Sequence, residues 1–454
     1  MSANNDDGSD IEEILGAIEA LRVSSPNLPN ATNAIAVLAN ASRHNISARQ
    51  QLADPKLLHT LIEVIDCSLD DSTEMVEVAL RCIGNACIDN DTAREHITEF
   101  GFTWAIRCLG SYADNTGLIA GLTIKVLYNI CTDFDLSRQK CFHDNVHHAL
   151  IDYSTSPAAR AADDVLMANL FVELLFWICS QKPSESGTTL SQGTLKALLD
   201  LPALYESMIP NEEWAMLLGT CLTFLRDAQV QKQAVEQELV GKLWDALITN
   251  EDKIDSLDYT RLEPSESEKK LLVPLSTSMI WCLSDIAALP EFAAPRTLEA
   301  SQLGQVLLFI IIEGSAHTRV LIAACQMLGN VLWSLQMRAV ADHLVESKHL
   351  HRPVLKTLVD SPNQELLHSA AGLLVQLVRP SSDAREIIGR DETTRDAVER
   401  LCKHETPQLR QDGIILLRAL GKDCPANRER FADLAEAAMQ NISATDQNMI
   451  EASS

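Results

Sequence analysis

The stretch that decides the fold is Ala79–Leu109, ALRCIGNACIDNDTAREHITEFGFTWAIRCL. Apolar residues recur every three or four positions from Met75 to Ala86, which predicts an α-helix with one buried face. Thr92 and Glu95 have the spacing of a capping box and predict the start of a second helix. Gly101 then separates it from a third apolar segment. Short helices of this kind cannot bury their apolar faces alone.

The same pattern recurs along the chain. One column of the alignment holds Asn40, Asn85 and Asn129, and a second column holds an arginine nine residues later each time, at Arg49, Arg94 and Arg138. The frame returns around Asn330, Gln376 and Leu420, with weaker copies centred near Trp177, Thr223 and Asp285. Repeats of about 44 residues bury their apolar faces by stacking on their neighbours. The sequence therefore predicts an all-α solenoid of about nine repeats.

One step in the repeat pattern is longer than the others, between Thr223 and Asp285. It contains the acidic stretch 250–270, in which we find no apolar stripe. We predict that this stretch is an exposed inserted loop between an N-terminal array (10–249) and a C-terminal array (271–440). The remaining ends, 1–9 and 441–454, are predicted to be a disordered acidic N-terminus and a flexible tail.

The charge balance restricts the partners. The 454 residues include 37 Lys and Arg against 63 Asp and Glu, a formal net charge of −26. Such an excess of negative charge repels phosphate backbones and anionic lipid headgroups, so we expect no nucleic-acid partner and no membrane insertion. The longest uninterrupted apolar run, Val306–Ile312, is also too short to cross a bilayer. A basic protein partner is the natural complement.

Cysteine usage and the N-terminus predict the compartment. The twelve cysteines show no C-x-x-C spacing and lie mostly in aliphatic runs, which is typical of reduced core residues. The start of the chain, MSANNDDGSDIEEI, is acidic and polar and lacks the features of a signal peptide. We therefore expect a cytoplasmic or nuclear monomer.

We find no motif for catalysis. The nucleophile-elbow, P-loop and dinucleotide-binding patterns are all missing, so we predict neither an enzyme nor a cofactor. His143 and His147 have a spacing that permits a shared metal. With no glutamate between them in an H-E-x-x-H motif and no second cluster, we predict no metal site.

Acidic and amide side chains are the candidate binding residues. Glu74 falls on the same helical face as Asn85, at the end of the acidic segment DCSLDDSTEMVE. Four further acids follow the column asparagines by four and six residues, namely Asp89, Asp91, Asp133 and Asp135. Two roles are open for these acids. They bind a basic ligand, or they are solvent-exposed surface residues, with Asp91 and Asp135 acting as N-caps of the helices that follow. The column asparagines are Asn40, Asn85, Asn129 and Asn330. Their side-chain amides either hold an extended peptide or form hydrogen bonds with the backbone of neighbouring helices.

The unit Ala79–Leu109 resembles an armadillo repeat, with an Asn in its last helix, a polar turn, an apolar helix, a small residue and a further helix. The resemblance covers about residues 30–440, and the HEAT repeat is the nearby alternative. It implies a right-handed superhelix whose third helices line a concave groove. We expect Trp177, Trp281 and Trp333, each near the end of a helical segment, to pack between repeats rather than to line a lipid pocket.

Two armadillo families do not fit. Importin-α carries tryptophans four residues before its groove asparagines, whereas this chain has Ala36, Arg81, Lys125 and Gln326 there. The basic groove of β-catenin is incompatible with a charge of −26.

The segments IGNACIDNDTAREHI and MLGNVLWSL resemble the GDP-dissociation stimulators of small GTPases, the SmgGDS-like proteins. This resemblance implies an acidic, non-catalytic regulator or chaperone that binds a GTPase of the Rho or Rap type by its basic, prenylated tail and stimulates GDP release. A general armadillo scaffold or adaptor for basic protein partners is the alternative.

Overall fold

The protein is an all-α solenoid, as the repeat pattern predicted. The computed structural model describes residues 16, 29–111, 117–156, 159, 165–182, 190–259, 265–292, 302–335 and 337–438. The predicted disordered N-terminus (1–9) and flexible tail (441–454) lie outside these residues. The chain divides into two compact units, Met1–Val230 and Gln231–Ser454. The boundary falls about twenty residues before the predicted junction at 250.

The first unit contains the helices up to the boundary. They are α1 (Pro29–His44), α2 (Ile46–Leu52), α3 (Pro55–Ser68), α4 (Thr73–Ala86), α5 (Asp91–Phe100), α6 (Thr103–Gly110), α7 (Leu118–Cys131), α8 (Asp135–His143), α9 (Val146–Ser154), α10 (Val165–Cys179), α11 (Gln192–Tyr205) and α12 (Asn211–Leu225). Helix α13 (Ala228–Glu236) contains the boundary.

The second unit begins with two long helices. Its helices are α14 (Val240–Tyr259), α15 (Ser265–Ala288), α16 (Gln302–Glu313), α17 (Thr318–Leu335), α18 (Arg338–Asp342), a π-helical turn (His343–Ser347), α19 (His351–Asp360), α20 (Gln364–Val378), α21 (Ser382–Arg390), α22 (Glu392–Cys402), α23 (Pro407–Gly421) and α24 (Pro425–Arg430).

Nine helices, which we call the third helices, contain or adjoin the nine predicted repeat centres. Within the first unit α1, α4, α7, α10 and α12 pack on one another in succession, and within the second unit α15, α17, α20 and α23 do so. Each buries an aliphatic stripe between its neighbours, as Val76, Ala79, Leu80 and Ile83 show in α4. The stripe has the period of 3.6 residues that the sequence displays.

The interior is built mainly from aliphatic residues and cysteines, together with aromatic side chains such as Trp104, Trp214 and Phe224. Eleven of the twelve cysteines are buried and only Cys67 is exposed, which agrees with their expected core position. The three tryptophans that were expected to pack between repeats differ in their exposure to solvent. Trp177 packs against Tyr128, with ring centroids 4.8 Å apart, but Trp281 and Trp333 are 64% and 50% exposed. The prediction for these two was wrong, because each lies on the solvent-exposed face of its helix.

The predicted inserted loop is largely helical, so this prediction was also wrong. Residues 250–259 complete α14 and residues 265–270 begin α15, while 260–264 lie outside the described part of the chain. Asn250, Glu251, Ile254 and Leu257 are all buried on one face of α14. This stripe includes two polar residues, and for that reason its helical period was missed.

Within the part of the chain that the structure describes, two helices are long and apolar enough to cross a bilayer, residues 266–288 of α15 and 318–335 of α17. The most apolar windows of these helices are 44% and 56% buried inside the protein. Core helices of soluble proteins pass the same test, so length and composition alone do not assign either helix to a membrane.

Candidate binding surface

The asparagine column connects successive third helices. The side-chain amide Nδ2 of Asn85 donates to the carbonyl oxygen of Ala39 at 3.0 Å, and that of Asn129 donates to Gly84 at 3.2 Å. Asn330 makes the equivalent bond to Ser284 at 2.9 Å. Asn40, on α1, is exposed. Three of the four asparagines therefore use their amide in stacking, which is the second of the two roles left open by the sequence.

The glycine before the column asparagine has different surroundings in the two Ile/Leu-Gly-Asn segments. A Cβ atom at Gly84 would lie 3.1 Å from Cγ2 of Val126 on the next third helix, so glycine permits a close approach of α4 and α7. A Cβ at Gly329 would lie 3.8 Å from Cα of Leu373, which is an ordinary van der Waals distance. The close approach therefore requires glycine at position 84 only.

The arginine column closes the end of each preceding third helix. In every case the arginine Nε donates to a carbonyl oxygen seven residues earlier: Arg49 to Ser42 at 2.8 Å, Arg94 to Cys87 at 2.9 Å, Arg138 to Cys131 at 2.7 Å and Arg385 to Val378 at 3.0 Å. The last carbonyls of a helix lack partners within the helix and carry partial negative charge. The arginine guanidinium gives these carbonyls both a hydrogen-bond donor and a positive charge.

Asp91 and Asp135 support this arginine. Each is the first residue of its helix and accepts a hydrogen bond at 3.0 Å, from Arg94 and Arg138 respectively. Neither is the N-cap; Asn90 holds that position in α5 and accepts from the backbone of Ala93. Both carboxylates are nevertheless exposed, so they still contribute negative charge to the surface.

Asp89 and Asp133 have a conformational role that the sequence did not reveal. Their φ angles are +52° and +51°, in the left-handed region that aspartate tolerates better than most residues. Both side chains are exposed, and neither forms an ion pair within the described part of the chain. Asp89 and Asp133 therefore turn the backbone between helices and leave their charge free.

Glu74 does not join the other acids. It is exposed in the first turn of α4, where a negative charge is favoured by the helix dipole. Asn85 lies about 16 Å further along this helix, at 1.5 Å per residue, and Asp89 lies beyond it. The face between them carries an ion pair, Arg81 with Glu77 at 2.5 Å. Lys125 on α7 is also exposed, so the third helices carry basic as well as acidic side chains.

Four other exposed acids, none of which pairs with a lysine or arginine in the described residues, lie in the turns before α5 and α8 and along α5. We call this set the acidic edge: Asp89, Glu95, Glu99 and Asp133. Helix α5 packs against α8, and a cleft of about 440 Å³ lies between them. It is lined by Glu95, Thr98, Glu99, Leu136, Gln139, Lys140 and His143. Leu136 is 57% exposed there, while the Lys140 ammonium is held by Asp144 at 2.8 Å.

Glu95 and Glu99 were missed by the sequence reasoning. They stand four residues apart on α5, a spacing that places both on one helical face. Neither pairs with a lysine or arginine in the described residues, and Glu99 lies 3.7 Å from His96. Their spacing is visible in the sequence, but Glu95 was interpreted there only as part of a capping box.

In the described residues, no group of three His, Cys, Asp or Glu side chains has the geometry of a metal site. His143 is 82% exposed, whereas His147 is buried and stacks on Phe142 with ring centroids 4.4 Å apart. Burial also raises the pKa of the Cys87 and Cys221 thiols to about 12, so they are protonated at neutral pH.

Comparisons with known proteins add little. No family model matches the chain, and no curated protein matches it. It is similar to a crystal structure of an engineered protein with 15% identity and a TM-score of 0.39, covering 90% of this chain and 99% of the other. A second engineered protein has 17% identity and a TM-score of 0.40, covering 59% and 97%. Likenesses this weak do not bear on function.

Proposed function

We propose that the protein is a non-catalytic binding protein that holds a basic segment of a partner on the acidic edge. The partner we infer is a small GTPase of the Rho or Rap type with a basic C-terminal tail, and the consequence is faster release of GDP. The acidic edge supports the binding step. The GTPase and the release of nucleotide are supported by the sequence resemblance to GDP-dissociation stimulators alone.

The observation that carries the binding proposal is the cleft between α5 and α8. Two exposed carboxylates, Glu95 and Glu99, line it together with the exposed Leu136. Asp89 and Asp133 lie at the starts of the same two helices. A basic segment with an occasional apolar residue matches this combination, because its cations meet exposed carboxylates and its apolar side chain covers Leu136.

The strength of such binding comes from many weak contacts. An exposed ion pair contributes roughly 0.2–1 kcal/mol and is screened by salt. No single substitution is therefore expected to abolish binding. The net charge of −26 adds long-range attraction that increases the association rate.

The test neutralises the acidic edge without disturbing its backbone. The variant is Asp89→Asn, Glu95→Gln, Glu99→Gln and Asp133→Asn, because asparagine also tolerates a positive φ whereas lysine would strain the turn. The control neutralises four exposed acids of the second unit, Glu313→Gln, Glu346→Gln, Asp360→Asn and Glu405→Gln. Both variants change the net charge by the same amount.

Binding of a fluorescent lysine-rich peptide is measured at several salt concentrations. We expect the acidic-edge variant to bind at least tenfold more weakly at low salt and the control to lose much less. Equal losses would show that overall charge, and not this surface, drives association. Release of a fluorescent GDP analogue from a Rho-type GTPase is then measured. Peptide binding without faster release would leave the adaptor as the better account.

A further inference from the structure

A second cleft lies in the last part of the second unit and has the opposite charge. Its volume is about 320 Å³, in the range of roughly 300–1,000 Å³ typical of small-molecule sites. Its apolar lining is Ile414, Leu417, Phe431, Ala435 and Ala438, and its polar lining includes Arg418, Lys422 and Arg428.

The local sequence makes the floor of this cleft rigid. The turn between α23 and α24 contains Asp423 with φ +51°, which reverses the chain. Asn427 is fully buried and its Nδ2 donates to the carbonyl oxygens of Arg385 and Leu420 at 2.8 and 3.1 Å. A Cβ at Gly421 would lie 3.3 Å from Cγ of Arg428, so the arginine stem passes close over this glycine.

The three cations of the cleft are uncompensated. Arg418, Lys422 and Arg428 are exposed, and none forms an ion pair with an acid in the described residues. No Asp or Glu is found among the described residues that line the cleft. Neighbouring arginines differ, since Arg395 pairs with Asp433 and Arg430 donates to Gly389. Three free cations around an apolar surface are unexpected in a chain of charge −26.

We propose that this cleft binds a single-chain amphiphilic carboxylate, such as a medium-chain fatty acid. The carboxylate accepts hydrogen bonds from Arg418, Lys422 and Arg428, since charge-assisted bonds of this type are the strongest available at a surface. The alkyl chain covers Leu417, Ala435 and Ala438. The site is separate from the acidic edge and would take an anion, so it does not depend on the proposed function.

The experiment is calorimetric titration of the full-length protein with decanoate below its micelle concentration. Acetate, decanol and decyltrimethylammonium are the comparison ligands. We expect decanoate to bind at least tenfold more tightly than each of them. If acetate binds equally well, the site recognises only an anion. If decanol or the cationic amphiphile binds equally well, the site recognises only an apolar chain. If decanoate does not bind, the cleft is not a fatty-acid site. Each of these results overturns the proposal.

Variants locate the binding. Arg418→Gln with Lys422→Gln and Arg428→Gln should weaken decanoate binding at least tenfold, and Ala435→Trp, which fills the cleft, should abolish it. The control is Lys348→Gln with Lys356→Gln and Arg379→Gln, three exposed cations of the same unit, and it should bind like the unaltered protein. Circular dichroism and urea midpoints confirm folding. If the cleft and control variants bind equally well, the cleft is not the site.

Discussion

Asn129 donates a hydrogen bond from Nδ2 to the carbonyl oxygen of Gly84, 3.2 Å away on the preceding third helix. The same two positions are aligned with Asn330 and Ser284 in the second unit. The residue that identifies the repeat in the sequence is thus the one that joins the repeats in space. A column of polar residues that repeats along a solenoid can indicate stacking just as well as ligand binding, and the atoms that each side chain contacts decide between the two.

Replacing Asn129 by leucine should lower the free energy of unfolding of the first unit by about 1–3 kcal/mol, because the carbonyl of Gly84 loses its side-chain partner. Asn40→Leu, at the exposed member of the column, should change it by less than about 0.5 kcal/mol. Urea denaturation measures both. A variant Asn129→Leu that kept full stability but lost peptide binding would restore the ligand role of the column.

Replacing Arg94 by methionine should cost about 1.5–3 kcal/mol, because a buried guanidinium that bonds the carbonyl of Cys87 is lost. Asp91→Asn removes only the exposed partner of that guanidinium and should cost about 0.2–1 kcal/mol. Thermal and urea denaturation of the two variants can be compared directly. Equal losses would mean that the ion pair, and not the closure of the helix end, is the stabilising contact.

Replacing Arg319 by methionine should destabilise the second unit by about 3–5 kcal/mol, because the buried carboxylate of Glu251 would lose its cation. Adding Glu251→Gln should recover much of that loss, since the amide needs no counter-charge and still has Ser276 as a partner. A double-mutant cycle from urea midpoints measures the coupling. Additive effects would show that the two side chains do not stabilise each other.

Acid should destabilise the first unit through His147. Burial lowers the pKa of this imidazole to about 3 from an ordinary value of 6.5, and its ring nitrogens have no hydrogen-bond partner in the described residues. Above pH 6.5 both folded and unfolded states hold the neutral ring. As the pH falls from 6.5 towards 3, only the unfolded state takes up the proton, so stability is lost progressively across this window.

At pH 5 the His147 contribution to this loss should be about 2 kcal/mol, at 1.36 kcal/mol for each pH unit below 6.5. His147→Phe, which keeps a ring between Phe142 and Phe224, should remove it. The exposed His143→Gln should not. Urea midpoints at pH 7 and pH 5 give the comparison, and an unchanged acid loss in His147→Phe would rule out this histidine as the cause.

The errors of the sequence reasoning have physical causes. The stretch 250–270 was predicted to be a loop because it is rich in acids and shows no apolar stripe, yet Asn250 and Glu251 within it are buried with partners. Those partners include Ser276 and Arg319, the latter 68 residues from Glu251 along the chain. Partners this distant in sequence cannot be recognised from local periodicity.

The sequence by itself determined the helical repeat, its length near 44 residues and the number of repeats, because these depend on local periodicity and on apolar faces that only stacking can bury. It also located the acids of the turns, Asp89 and Asp133. Only the tertiary structure decided what each polar side chain contacts. Whether a polar side chain bonds a neighbouring helix, as Asn129 does, or remains free at a surface, as Glu95 does, depends on which atoms stacking brings within hydrogen-bonding distance.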